Sequence, residues 1–224
     1  MTKCWEREGA RRHRFAWFAS EAKFFDTAPE GVRLEDWLIL REWIGQGRPL
    51  IVRRPCVSED GKLIHVGLAL PPVAGKRRLA YSLPMAAMER LADPPLWEAC
   101  RGGAAAEVDA AAQVIQAAAT AAGLPLQAFG SHAWQHHTGL PYVTPTSDMD
   151  LLAPIQRRES WEKFRDAMAR AGEISPRADL EIILRDDASF NWREYAAPGS
   201  RMLYKGNASV WLGDKSNVEE LLGE

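Results

Sequence analysis

Apolar positions along the chain change their period, and each change marks an element. Leu34, Trp37, Leu38 and Ile44 recur on one helical face, and Gly45 and Gly47 provide the stop. The spacing then shortens. Leu50-Ile51-Val52, the alternating run Ile64 to Leu70 and the run Leu79 to Leu83 predict three strands. Glu59-Asp60-Gly61 precedes the second, and Pro71-Pro72 with Gly75 follows it as turn chemistry. Arg12 to Phe18 alternates loosely, as an entry strand or turn. Together these predict a smaller N-terminal α+β domain over residues 1–84, closing at Pro84.

From Met85 the composition shifts. Met85 to Leu91 and Leu96 to Cys100 read as helical, with Pro94-Pro95 between them and Arg101-Gly102-Gly103 as the end. Ala104 to Ala122 is strongly helix-forming, its narrow face carrying Val108, Ala111, Ala112, Ile115 and Ala119. Gly123 and Pro125 stop it. Leu126 to Phe129 predicts a short buried strand, Gly130-Ser131 a turn, and His132 to Thr138 a short helix. Met149 to Ala153 is a second strand, Ser160 to Ala171 a helix with Trp161, Phe164, Met168 and Ala171 inward, and Ala178 to Leu184 a third strand. Short elements follow at 191–195, 202–205, 210–212 and 218–222. The second domain is therefore expected over residues 85–224, and the fold class is α+β.

Composition narrows the possible partners. Of 224 residues, 46% are hydrophobic, enough for a substantial core; 28 Lys plus Arg against 30 Asp plus Glu leave a net charge of -2. Without a global positive field, nucleic acid is not an expected partner, and an anionic substrate must be met by local groups. Cys4, Cys56 and Cys100 are odd in number and lack metal-ligand spacing, which predicts reduced thiols in a cytoplasmic protein. No run of eighteen apolar residues occurs, so no membrane span is expected.

Candidate chemistry concentrates between residues 130 and 181. Asp148 and Asp150 stand one residue apart on a predicted strand, so their carboxylates project to one face while Met149 and Leu151 pack beneath. Such a pair suits Mg²⁺, a hard cation that prefers carboxylate and phosphate oxygens. Glu181, between Leu180 and Ile182, is the expected third metal ligand and acid. Asp179 shares its predicted face and remains an alternative. Gly130 permits close backbone approach, and Ser131 with the following helix N-terminus offers donors to a phosphate. Further cations for a polyphosphate are expected from Lys76-Arg77-Arg78, with Arg193 and Lys205 as second choices.

Other sites fit less well. His132 and His136 are four apart, but Ala133 stands where a zinc-protease helix has Glu, and no third soft ligand is evident. Ser131, His136 and Asp148 lack the glycine pattern of a nucleophile elbow. His65 belongs to a half-buried strand, and the nine tryptophans to core and interface.

A Gly-Ser turn followed by three acids on adjacent strands resembles the nucleotidyltransferase superfamily. The long run Gly130 to Tyr142, with Ser147 to Leu152, is more specific. With Gly47-Arg48-Pro49-Leu50, Arg53-Arg54, Pro71-Pro72, Gly75 to Arg78 and Asn191-Trp192-Arg193-Glu194, it resembles the phosphoribosyl-dephospho-CoA transferases of malonate decarboxylase, its holo-acyl-carrier-protein synthases.

That resemblance implies a nucleotidyltransferase-like catalytic domain, a small mixed sheet flanked by helices, beside an N-terminal substrate-binding domain. It implies that 2'-(5''-triphosphoribosyl)-3'-dephospho-CoA is the donor and the apo acyl carrier protein subunit of malonate decarboxylase the acceptor. A carrier serine would attack the α-phosphate and release pyrophosphate. Asp148 and Asp150 would be the metal ligands for Mg²⁺, with Mn²⁺ left open as a substitute. Sixteen residues separate Ser131 from Asp148, longer than is usual across the superfamily. Two rival expectations are a nucleotidyltransferase using ATP or another NTP on a different acceptor, and a silent nucleotide- or carrier-binding module.

Overall fold

The computed structural model describes residues 11–21 and 23–222, which divide into two units between Pro94 and Pro95. Cys4 lies outside the described residues.

The first unit contains β1 (Phe15–Phe18), α1 (Leu34–Gly45), β2 (Leu50–Val57), β3 (Leu63–Ala69), β4 (Arg78–Pro84) and β5 (Met88–Ala92). Its antiparallel sheet has the order β4-β3-β2-β1-β5. Burial alternates strictly along β3, where Ile64, Val66 and Leu68 point into the core. Helix α1 contributes Trp37, Leu40, Trp43 and Ile44 to that core. Its Trp43 indole donates to the Pro49 carbonyl at 2.8 Å, so the buried nitrogen is satisfied.

The predicted helix at Met85 to Leu91 is not formed. Met85–Ala87 makes one 3₁₀ turn and Met88–Ala92 is β5, pairing with β1 through Phe15↔Ala92 and Trp17↔Arg90. The Met-Ala-Ala-Met-Glu-Arg-Leu composition favours a helix locally, but a free sheet edge overrides it. This strand moves the division between units to Pro94, where the sequence suggested Pro84.

The second unit contains α2 (Trp97–Cys100), α3 (Ala106–Ala121), β6 (Gln127–Ala128), α4 (Gly130–Thr138), β7 (Met149–Pro154), α5 (Arg158–Ala171) and β8 (Ala178–Ile183). β9 (Ser189–Asn191), α6 (Trp192–Ala196), β10 (Arg201–Lys205), β11 (Val210–Asp214) and α7 (Asn217–Leu222) complete it. The sheet order is β11-β10-β9-β8-β7-β6. β7 and β8 are parallel, joined through α5, and the other neighbours are antiparallel.

Alternation gives this sheet two different faces. Met149, Leu151 and Ala153 of β7, with Leu180 and Ile182 of β8, are buried in one core with Val108, Ala112, Ile115 and Ala119 of α3 and Trp161, Phe164 and Met168 of α5. The alternate positions carry the polar groups: Asp150, Asp179, Glu181, Asn191, Ser189 and Lys205 share the other face with the apolar Leu152 and Ile183. Cys56 and Cys100 are both buried. No helix among the described residues is long and apolar enough to cross a membrane.

Candidate active site

The polar face is assembled at the start of β7. Phe129 donates its backbone N–H to the Asp150 carbonyl at 3.0 Å, fixing the entry to α4 against that strand. Gly130 is then left-handed, with φ +61°. A Cβ built on it would stand 1.8 Å from Asp150 Oδ2, so only glycine fits here. The nine-residue α4 begins at this contact, and Ser131 is its half-buried second residue. A helix N-terminus carries roughly half a positive charge, which favours both the Asp150 carboxylate and a phosphate beside it.

Register decides which acid is nearest. Asp150 is paired with Asp179, whereas Glu181 is opposite Leu152. Asp150 and Asp179 are half-buried, and Glu181 is 5% exposed. Glu181 is engaged on both oxygens: Ser189 Oγ donates to Oε1 at 2.7 Å, and Lys205 Nζ lies 3.4 Å from Oε2. Glu181 and Lys205, both expected to handle metal or phosphate, thus form a largely buried ion pair with each other.

Asp148 falls just before β7. Its side chain is 67% exposed and lies 3.5 Å from Arg177 Nε. Arg177 also donates to the carbonyls of Pro145 at 3.0 Å and Ser147 at 2.6 Å and pairs with Glu107. It therefore holds the end of the loop that delivers both acids. The rest of that loop is ordered by Gln135, whose Oε1 accepts from the backbone of Tyr142 at 3.1 Å and Val143 at 2.9 Å, while Trp134 stacks on Tyr142.

The remaining cations are distributed. Arg193 Nη2 donates to the carbonyls of Ser175, Pro176 and Ala178 at 2.9, 2.5 and 2.6 Å. Lys76, Arg77 and Arg78 belong to the first unit at the start of β4, where Arg77 pairs with Glu35 and Asp36. Lys76 and Arg78 are exposed.

His132 and His136 are used structurally. Their Nδ1 atoms lie 3.3 Å from the Cys100 carbonyl and 3.2 Å from the Ala99 carbonyl. A carbonyl only accepts, so both Nδ1 atoms carry the hydrogen. Burial holds the His132 imidazole below its usual pKa, and its Nε2 is buried without a hydrogen-bond partner.

The donor set suits a hard divalent cation: Asp150 and Asp179 are cross-strand partners beside a helix N-terminus, and Mg²⁺ commonly uses one or two carboxylates with substrate phosphates. Among the described residues, no three His, Cys, Asp or Glu side chains are gathered closely enough to hold a metal by themselves. Substrate oxygens would therefore have to complete the shell.

The sequence weighed Asp179 as an alternative and missed Arg177. For Asn191, whose amide donates to Asp179 Oδ1, the signal was its place in the Asn-Trp-Arg-Glu segment.

Family models for the "Phosphoribosyl-dephospho-CoA transferase MdcG" N-terminal domain and C-terminal domain match residues 11–94 and 95–216. A "Phosphoribosyl-dephospho-CoA transferase" from Xanthomonas euvesicatoria pv. vesicatoria (strain 85-10) is 35% identical over 204 residues, covering 91% of this chain and 93% of the relative. One of the same name from Xanthomonas campestris pv. campestris (strain 8004) is 33% identical, covering 88% and 91%. Another from Bradyrhizobium diazoefficiens (strain JCM 10833 / BCRC 13528 / IAM 13628 / NBRC 14792 / USDA 110) is 31% identical, covering 79% and 78%. No solved structure matches the chain.

Proposed function

The chain belongs to the phosphoribosyl-dephospho-CoA transferase family, and from that premise we propose the reaction it performs. It transfers the phosphoribosyl-dephospho-CoA group from 2'-(5''-triphosphoribosyl)-3'-dephospho-CoA to a serine of the malonate decarboxylase acyl carrier protein. The carrying observation is the Asp150–Asp179 pair beside Gly130, inside a region matched by the family's C-terminal domain. We read the second unit as nucleotidyltransferase-like and catalytic, and the first as substrate-binding.

In the reaction, the serine oxygen bonds to the α-phosphorus as the bond to the bridging oxygen of the β-phosphate breaks, and pyrophosphate leaves. Asp150 and Asp179 would hold Mg²⁺ with substrate oxygens, and Asp148, exposed just before β7, would have to turn from Arg177 to join them as a further ligand. When bound, the cation supplies charge neutralisation for the phosphates and activation of the attacking hydroxyl. Ser131 and the first amides of α4 orient the phosphate oxygens. One of the carboxylates takes the serine proton. Gly130 keeps the helix end in contact with Asp150, so phosphate and acid are held at one point.

Intact-mass analysis of apo carrier protein, after incubation with enzyme, Mg²⁺ and synthetic donor, tests this reading. A mass gain on one serine is expected with the donor and none with ATP alone. Modification by ATP, or none with the donor, would overturn it.

A further inference from the structure

The segment Asn191-Trp192-Arg193-Glu194 is unused by the reaction as described, yet each of its polar side chains grips a different part of the second unit. Asn191 accepts from the Arg193 N–H at 2.8 Å through Oδ1, capping α6. That bond fixes which way the amide faces, so Nδ2 is presented to Asp179 Oδ1, to which it donates. Arg193 donates to the carbonyls of Ser175, Pro176 and Ala178, the backbone that leads into Asp179. Glu194 Oε2 accepts from the Leu203 N–H at 2.9 Å, tying α6 to β10. Trp192, 6% exposed, anchors the segment against Trp161 and Phe164.

We infer that Asn191 and Arg193 are positioning residues: Asn191 turns the Asp179 carboxylate towards its place beside Asp150, and Arg193 fixes the height of the β8 backbone that carries it. This rests on the reading of Asp179 as a metal ligand. It gives Arg193 a role different from the phosphate contact that its charge suggested. Although Arg193 is exposed, one of its guanidinium nitrogens is turned inward to reach three carbonyls.

It also explains how two acids of one strand are told apart. Asp179 meets a neutral amide donor, which leaves it a net anion with its other oxygen available to a cation. Glu181 meets an ammonium group and a hydroxyl, which compensate its charge. Partners behind a metal-binding carboxylate typically govern affinity by 10- to 100-fold, roughly, when removed.

The test uses the full-length protein and Mn²⁺ as probe, measured by electron paramagnetic resonance in the presence of donor, with thermal melts alongside. Asn191→Ser keeps a capping oxygen but cannot reach Asp179, and is expected to weaken Mn²⁺ binding about 10-fold or more while the melt changes little. Arg193→Gln is expected to weaken Mn²⁺ binding while leaving the donor's affinity in EDTA unchanged. Wild-type Mn²⁺ affinity in Asn191→Ser overturns the inference for Asn191. Loss of donor affinity in EDTA with Mn²⁺ binding intact overturns it for Arg193 and makes it a phosphate ligand. Asp179→Asn separates the two levels: if it binds Mn²⁺ as wild type does, the metal-ligand reading itself fails. If it weakens Mn²⁺ binding while Asn191→Ser does not, only the positioning role fails.

Discussion

Replacing Gly130 by alanine should slow the enzyme by moving one carboxylate. Gly130 has φ +61° and Gly139, at the other end of the same helix, has φ +67°. An alanine at either position pays about 1 to 2 kcal/mol for the left-handed backbone, roughly 3 to 8 °C in Tm for a domain of this size. The surroundings then differ. Nothing lies within 4 Å of a Cβ at Gly139, whereas at Gly130 the Cβ would be 1.8 Å from Asp150 Oδ2 and 2.8 Å from its Cγ. Ordinary contact needs about 3.5 Å, so the carboxylate must give way by well over 1 Å. Since Phe129 N–H holds the Asp150 carbonyl at 3.0 Å, the side chain must do the moving. A displacement of about 1 Å at a reacting centre costs on the order of 100-fold in rate. Transfer to apo carrier protein, followed by intact mass with melts in parallel, should therefore show Gly139→Ala destabilised but active. Gly130→Ala should be destabilised at least as much and slower by about 100-fold. Equal rates for the two variants would refute the contact as the cause.

Glu181→Gln should lower stability by about 1 to 2 kcal/mol, because Lys205 loses its counter-charge but, being partly exposed, can reach water. Its Mg²⁺ half-saturation should stay near wild type, while Asp179→Asn and Asp150→Asn raise it or abolish transfer; a reversed order in a Mg²⁺ titration would restore Glu181 as the third ligand. His132 is held neutral by burial, below its ordinary value of 6.5. The unfolded chain then binds a proton that the folded one does not, so this stabilisation is complete above about pH 6.5 and is lost as the pH falls towards the depressed folded value. Melts between pH 7.5 and 5 should fall less steeply in His132→Gln than in wild type. Burial pushes the Cys100 thiol up to about 11, so neither Cys100 nor buried Cys56 should react with a thiol reagent at pH 8 until denaturant is added. Rapid labelling of either in the native protein would contradict their placement.

Where two adjacent levels of structure agree, the sequence was readable. The alternation of Ile64 to Leu70 and the helical spacing around Trp161 match β3 and α5, because burial and local preference point the same way there. At Met85 to Leu91 they disagree, and pairing with β1 decides in favour of a strand. The acid pair stood out in the sequence, but its geometry did not. Asp148 ends outside β7, drawn to Arg177, a contact between residues 29 positions apart that no local pattern encodes. Apolar neighbours recommended Glu181, yet such neighbours signal burial, and the most buried acid is the one whose charge must be compensated within the fold. Arg193 looked like a free cation because its partners are backbone carbonyls, which carry no sequence signature.

The two-faced strand β7 also dictates which changes in chain length the protein can absorb. Added residues in the loop before Pro145 lengthen a segment whose side chains need no common direction. One added residue after Met149 has a different effect: every later side chain of the strand changes sides, Leu151 would come up beside Glu181, and the Asp150 carboxylate would enter the packing of α3 and α5. Related chains of this architecture can therefore vary in length between the helix and the strand, but within the strand they must count in twos.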